Sequence, residues 1–153
     1  MDAVALERGY REIQSQIHPD RFAASGDAER RASMQWTTRV NEAYRTLKDP
    51  VQRAKYLLEL NGVDVAFETN TQMPTEFLMR QLELREALAD ARSVEALDRL
   101  REGVEREKAA LENRIGELID ARRELDAAAG EVRKLMFLRR LGEEIELAYE
   151  DAE

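Results

Sequence analysis

Cysteine is absent from this chain, which excludes disulfides and thiolate metal sites. No stretch of about 18 apolar residues occurs, so no membrane-spanning helix is expected. The N-terminus lacks the basic segment followed by an apolar stretch that marks a secretory signal, so the expected location is the cytoplasm. Three prolines and seven glycines in 153 residues leave few helix breakers. Nothing resembles the alternation of a β-strand. A single histidine, with no His and carboxylate ligand spacing, no Ser or Cys nucleophile motif and no Gly-rich phosphate loop, argues against a catalyst. The chain is therefore read as a non-enzyme without cofactor or metal.

What is present favours helices. The residues are 43% hydrophobic, enough for a core, and 37% charged, which suits helices with solvated faces. The charge is uneven: residues 1–62 carry 10 Lys and Arg against 9 Asp and Glu, and residues 63–153 carry 14 against 23. An acidic chain repels phosphate backbones, so nucleic acid is not expected as a partner. The asymmetry suggests two regions with different partners.

Apolar spacing divides the first region into helices. Leu6, Tyr10, Ile13 and Ile17 line one helix face. Pro19 stops that helix and biases His18 away from helical dihedrals, so an end at Gln16 or Ile17 is predicted. A loop over His18–Gly26 follows, with Ser25 or Asp27 able to cap the next helix. There Trp36, Val40, Ala43 and Leu47 are spaced 4, 3 and 4, an apolar stripe of helical period. Asp49-Pro50 ends that helix and caps a short one, whose inward residues are Ala54, Leu57 and Leu58 and whose C-cap is Gly62.

Residues 63–74 read as a linker. Beyond it, Thr75 caps a helix to about Ala91, Ser93 caps a long one reaching Leu125, and Asp126 caps a last one to about Tyr149. Leu97, Val104, Leu111, Leu118 and Leu125 fall seven apart, as a helix-packing seam requires. Three long amphipathic helices with short connections predict a three-helix bundle. In the first of them Phe77, Leu84, Leu88 and Ala91 form a core stripe. Leu78, Met79 and Leu82 lie in another sector, with Glu86 beside them and Glu83 at the border. That is either a second buried stripe or a protein-binding surface with acidic edges. In the last helix Val132, Leu135, Met136, Phe137, Leu138 and Leu141 surround the axis instead of lining one side.

The sharpest local feature is His18-Pro19-Asp20. Alone it is a turn, in which Pro fixes φ and Asp binds local backbone. Its setting adds weight: Arg8 and Arg11 sit three apart on the preceding helix, Arg21 follows at once, and Asn41-Glu42-Ala43-Tyr44-Arg45-Thr46-Leu47-Lys48-Asp49-Pro50 comes later, then Arg53, Ala54 and Tyr56. The combination resembles a J domain over most of residues 1–62. The resemblance implies that His18, Pro19, Asp20, Arg8, Arg11 and Arg21 dock on a DnaK-type chaperone and stimulate its ATPase. Such domains carry one more helix before this one, so the J region is expected to lack its first helix and to leave apolar surface uncovered.

Thr69-Asn70-Thr71, Phe77 to Glu86 and Val132 to Leu138 resemble the C-terminal domain of the HscB family of iron–sulfur co-chaperones. With the J region, the likeness spans nearly the whole chain. It implies an all-α protein with residues 1–62 as J domain, 63–74 as linker and 75–153 as the bundle. It implies HscA as the chaperone and IscU, an iron–sulfur scaffold protein, as the client. Carried over, the client contacts are Leu78, Met79, Leu82, Glu83, Glu86 and Phe137. The absence of cysteine matches the bacterial type, which has no zinc segment. A J-domain co-chaperone with another client, or a helical scaffold protein without chaperone activity, are the alternatives.

Overall fold

The computed structural model describes residues 1–65 and 73–152. Among them there are six α-helices and no strand. Thr69-Asn70-Thr71 and most of the expected linker lie outside the described residues. The chain divides into two compact units, Met1–Tyr56 and Leu57–Glu153. The division falls inside the third helix.

The first unit is built on a helix pair, α1 (Ala3–Ile17) and α2 (Asp27–Lys48), joined by a loop with a single 3-10 turn, Pro19–Phe22. Asp2 caps α1, its carboxylate accepting from the amides of Val4 and Ala5 at 3.0 and 3.1 Å. Helix α2 begins at Asp27 behind Gly26 with no side-chain cap. Neither Ser25 nor Asp27 serves as one; Asp27 lies inside the first turn, where its charge suits the helix dipole. The helix α3 (Pro50–Leu60) starts as the sequence predicts. The Asp49 carboxylate accepts from the amides of Val51 and Gln52 at 2.8 and 3.2 Å. Gly62 holds φ +79°, the left-handed conformation that glycine adopts without a Cβ clash.

The apolar stripe of α2 is not buried. Trp36 is 60% exposed and Ala43 is exposed, while Val40 and Leu47 are half-buried. Ser33, Asn41 and Tyr44 reach across to α1. Tyr10 donates its hydroxyl to Asn41 Oδ1 at 2.6 Å and stacks on Tyr44 with centroids 4.1 Å apart. The apolar stripe instead lines an open groove of about 310 Å³ between Leu6, Tyr10 and Ile13 on α1 and Val40, Ala43 and Leu47 on α2.

The second unit holds α4 (Thr75–Asp90), α5 (Val94–Gly116) and α6 (Leu125–Ala152). Thr75 does not cap α4, which starts behind Pro74 without a side-chain cap. Ser93 caps α5 by accepting from Ala96 N–H at 3.1 Å. The expected run of α5 to Leu125 is interrupted. It passes into a π-helical turn at Glu117–Ala121 and breaks at Arg123, whose φ is 58°. Leu125 therefore opens α6, and Asp126 lies in its first turn.

Helix α6 is apolar on several sides because several elements pack on it. Phe77 and Leu84 of α4, Leu97 and Val104 of α5, and Phe137, Leu138, Leu141 and Ile145 of α6 form one buried cluster. Leu88, Ala91, Leu100 and Leu111 pack at its edge. Elsewhere on α6, the Arg133 guanidinium donates to the carbonyl of the buried Val65 at 2.7 Å. No helix among the described residues is long and apolar enough to cross a membrane.

Candidate functional site

The residues singled out in the sequence fall into two groups, one in each unit. The first surrounds the loop after α1. Proline cannot donate an amide and pushes its predecessor out of the helical region. His18 accordingly takes φ −56° and ψ 134° and serves as the N-cap of the 3-10 turn. Its Nδ1 accepts from Asp20 N–H at 3.2 Å, and its carbonyl accepts from Arg21 N–H at 3.0 Å. The ring is thus tethered through Nδ1, leaving Nε2 as its other polar atom. The Asp20 carboxylate is 93% exposed and lies 3.5 Å from His18 Nδ1. It is an acceptor open to a cation or to donors of a partner.

The three arginines differ. Arg8 is exposed on α1. Arg11 is also exposed, but its guanidinium bonds Glu7 one turn earlier at 2.8 Å. A surface pair of this kind is worth about 0.3–0.5 kcal/mol and yields easily to a partner. Arg21 turns back, donating to the Ser15 carbonyl at 3.2 Å and so covering one of the free carbonyls at the end of α1. A residue missed in the sequence completes the region. Ser33 of α2 is buried and donates its hydroxyl to the Ile17 carbonyl at 2.5 Å. The available signal was the polar series 33, 37, 41 and 44, which has helical spacing but no apolar member until Tyr44.

The second group lies on α4. Phe77 and Leu84 turn inward and fix the rotation of the helix. With their side buried, Leu78, Met79 and Leu82 face outward at 43%, 60% and 64% exposure. Glu83 and Glu86 are exposed beside them. Three large apolar side chains on one helix sector are surface that water covers at a cost, and their acidic edge favours a partner with basic groups around an apolar centre. Glu83 accepts from Arg80 at 3.0 Å, and the same guanidinium bonds Glu107 of α5. The hydrogen bond to Glu107, outweighing desolvation and aided by Glu83, raises the Arg80 pKa further above its usual value. Arg85 makes the corresponding bond to Glu144 of α6. These two links tie α4 to both neighbouring helices, and the sequence gives no direct sign of them because the partners are 27 and 59 residues apart.

Phe137 does not share this exposure. It is 9% exposed in the core cluster, with its ring edge-to-face against Phe77 at 5.7 Å and the Arg85 guanidinium 5.5 Å above it. It lies beneath α4 as a support, where the packing of two aromatic rings is worth about 0.5–1.5 kcal/mol beyond burial. Leu78, Met79, Leu82, Glu83 and Glu86 are brought together by one helix face.

The chain is similar to known proteins over nearly its full length. Residues 73–146 match the family described as the HSCB C-terminal oligomerisation domain. A co-chaperone protein HscB homolog of Burkholderia multivorans is 52% identical over 148 residues, covering 95% of this chain and 84% of that protein. Another, of Paraburkholderia xenovorans, is 50% identical over 149 residues with the same coverage. Among solved structures, chaperone HscB from Vibrio cholerae superposes with a TM-score of 0.84 at 34% identity, covering 100% of this chain and 91% of that one. Human co-chaperone protein HscB gives 0.91 at 28% identity, covering 96% and 74%.

Proposed function

The chain belongs to the HscB family of co-chaperones, and from that premise we propose that it is a bivalent adaptor of iron–sulfur cluster assembly. Its J region, residues 1–62, recruits a DnaK-type chaperone, HscA, and stimulates that chaperone's ATPase. Residues 63–74 link this region to a bundle, residues 75–153, that holds the scaffold protein IscU. The protein works in the cytoplasm and catalyses no reaction itself. It assists cluster transfer by raising the local concentration of the client beside the chaperone.

The observation that carries this reading is the outward display of Leu78, Met79 and Leu82 on a helix already anchored by Phe77 and Leu84. An amphipathic helix in a bundle needs one apolar stripe; a second, exposed one is explained by a partner. Glu83 and Glu86 supply the charged edge, and Phe137 backs the helix from below. At the other site, Asp20 offers a carboxylate held on a proline-fixed turn, with Arg8, Arg11 and Arg21 giving the preceding helix and loop positive charge. Such charge speeds encounter with an acidic chaperone surface, an effect that weakens with salt.

Asp20→Asn tests the reading. It keeps the size of the side chain and removes its charge. Stimulation of the chaperone ATPase is expected to be lost while IscU binding, followed by calorimetry, stays unchanged. Full stimulation by the variant would remove the loop from the mechanism.

A further inference from the structure

Ser33 is the one fully buried residue in α1 and α2, at 4% exposure, and it is polar. Serine inside a helix commonly bonds back to a carbonyl of its own preceding turn. Ser33 instead donates across to the carbonyl of Ile17, at 2.5 Å. Ile17 is the last residue of α1, so its carbonyl has no amide of its own helix to pair with. The peptide group that carries this carbonyl is the one that joins Ile17 to His18.

The loop contacts already described are short-range. Asp20 N–H bonds His18, Arg21 N–H bonds the His18 carbonyl, and the Arg21 side chain bonds Ser15. They fix the loop to itself and to α1. Ser33 supplies a tie from α2. We infer that Ser33 is a positioning residue: by holding the Ile17–His18 peptide it sets the direction in which His18 and Asp20 leave α1. Without the hydroxyl, this part-buried carbonyl loses its donor. The least costly relief is rotation of that peptide toward water, which swings the imidazole and the carboxylate beyond it.

This inference rests on the reading of the loop as the chaperone-docking element, and the test separates the two. Ser33→Ala is expected to raise the concentration for half-maximal ATPase stimulation roughly five- to tenfold. It should also shift the His18 and Asp20 amide resonances in the full chain without chaperone, and leave IscU affinity within about twofold. Ser33→Cys, close in shape but a weak donor, should behave like Ser33→Ala. Ser33→Thr, which keeps the hydroxyl, should restore both stimulation and amide positions. Unmoved resonances with normal stimulation in the Ala and Cys variants would overturn the inference. Loss of helicity in both would overturn it as well, since the hydroxyl would then hold the whole helix pair and not the loop. If Asp20→Asn stimulates fully, the docking assignment fails, while the resonances measured without chaperone still decide the role of Ser33.

Discussion

Two pairs of helices, α1 with α2 and α5 with α6, are each joined by a short connection, yet they are held by different forces. The first pair contains no fully buried apolar side chain; it is tied by the Tyr10–Asn41 hydrogen bond, the Tyr10–Tyr44 stack and the Ser33–Ile17 bond. The second pair buries Leu97, Val104 and Ile115 from one helix and Val132, Leu135, Leu138, Leu141 and Ile145 from the other. Two helices alone can bury only the strip between them. The second unit adds α4 and the chain up to Val65 around α6, so apolar residues on several of its sides leave water. The proposed trigger thus relies on directional polar ties, whereas the proposed client face is carried by a packed core.

Cavity formation in that core is the harshest test of the contrast. Leu141→Ala removes a side chain with no exposed surface and should cost about 2–5 kcal/mol. Val40→Ala, in the open groove, should cost about 1 kcal/mol or less. Urea unfolding followed by circular dichroism measures both; equal losses would erase the difference between the pairs.

Next in size is the double change Leu78→Ala with Leu82→Ala. Each residue is already exposed, so stability should stay within about 0.5 kcal/mol of the parent. IscU affinity should fall roughly 10- to 100-fold, as two leucines lose their burial in the complex. Calorimetric titration reads this directly. Unchanged affinity would leave α4 with an exposed stripe and no assigned partner.

The smallest effect is expected from Tyr10→Phe, which keeps the stack on Tyr44 and deletes the hydrogen bond to Asn41. A loss of about 1 kcal/mol is expected. It should show in amide hydrogen exchange as weaker protection across α1 and α2, with protection in α5 and α6 unaltered. Weakened exchange protection throughout the chain would mean that the two pairs do not open separately.

Much of this architecture is legible in the residues themselves. Pro19 ends α1, Asp49-Pro50 starts α3, Gly62 takes the left-handed conformation and Ser93 caps α5, each because local chemistry acts within a few residues. Periodicity separates Phe77 and Leu84 from Leu78, Met79 and Leu82, and burial follows that separation. The spacing of Trp36, Val40, Ala43 and Leu47 does not tell that this stripe stays open while polar Ser33 is buried. Periodicity also runs α5 through to Leu125, because a regular heptad carries no sign of a π-helical turn. Phe137 is assigned to the surface by resemblance, while packing sets it beneath α4.

Pro19, Asp49-Pro50, Gly62 and Ser93 mark helix ends within the sequence itself, and the 3.6-residue repeat separates the two apolar faces of α4, since these are local properties. Only the tertiary structure decided that Ser33 meets Ile17, that Arg80 and Arg85 tie α4 to its neighbours, and that Phe137 is covered. Those contacts join residues far apart in the chain, and neither partner carries a mark of the other until packing brings them within a hydrogen bond's reach.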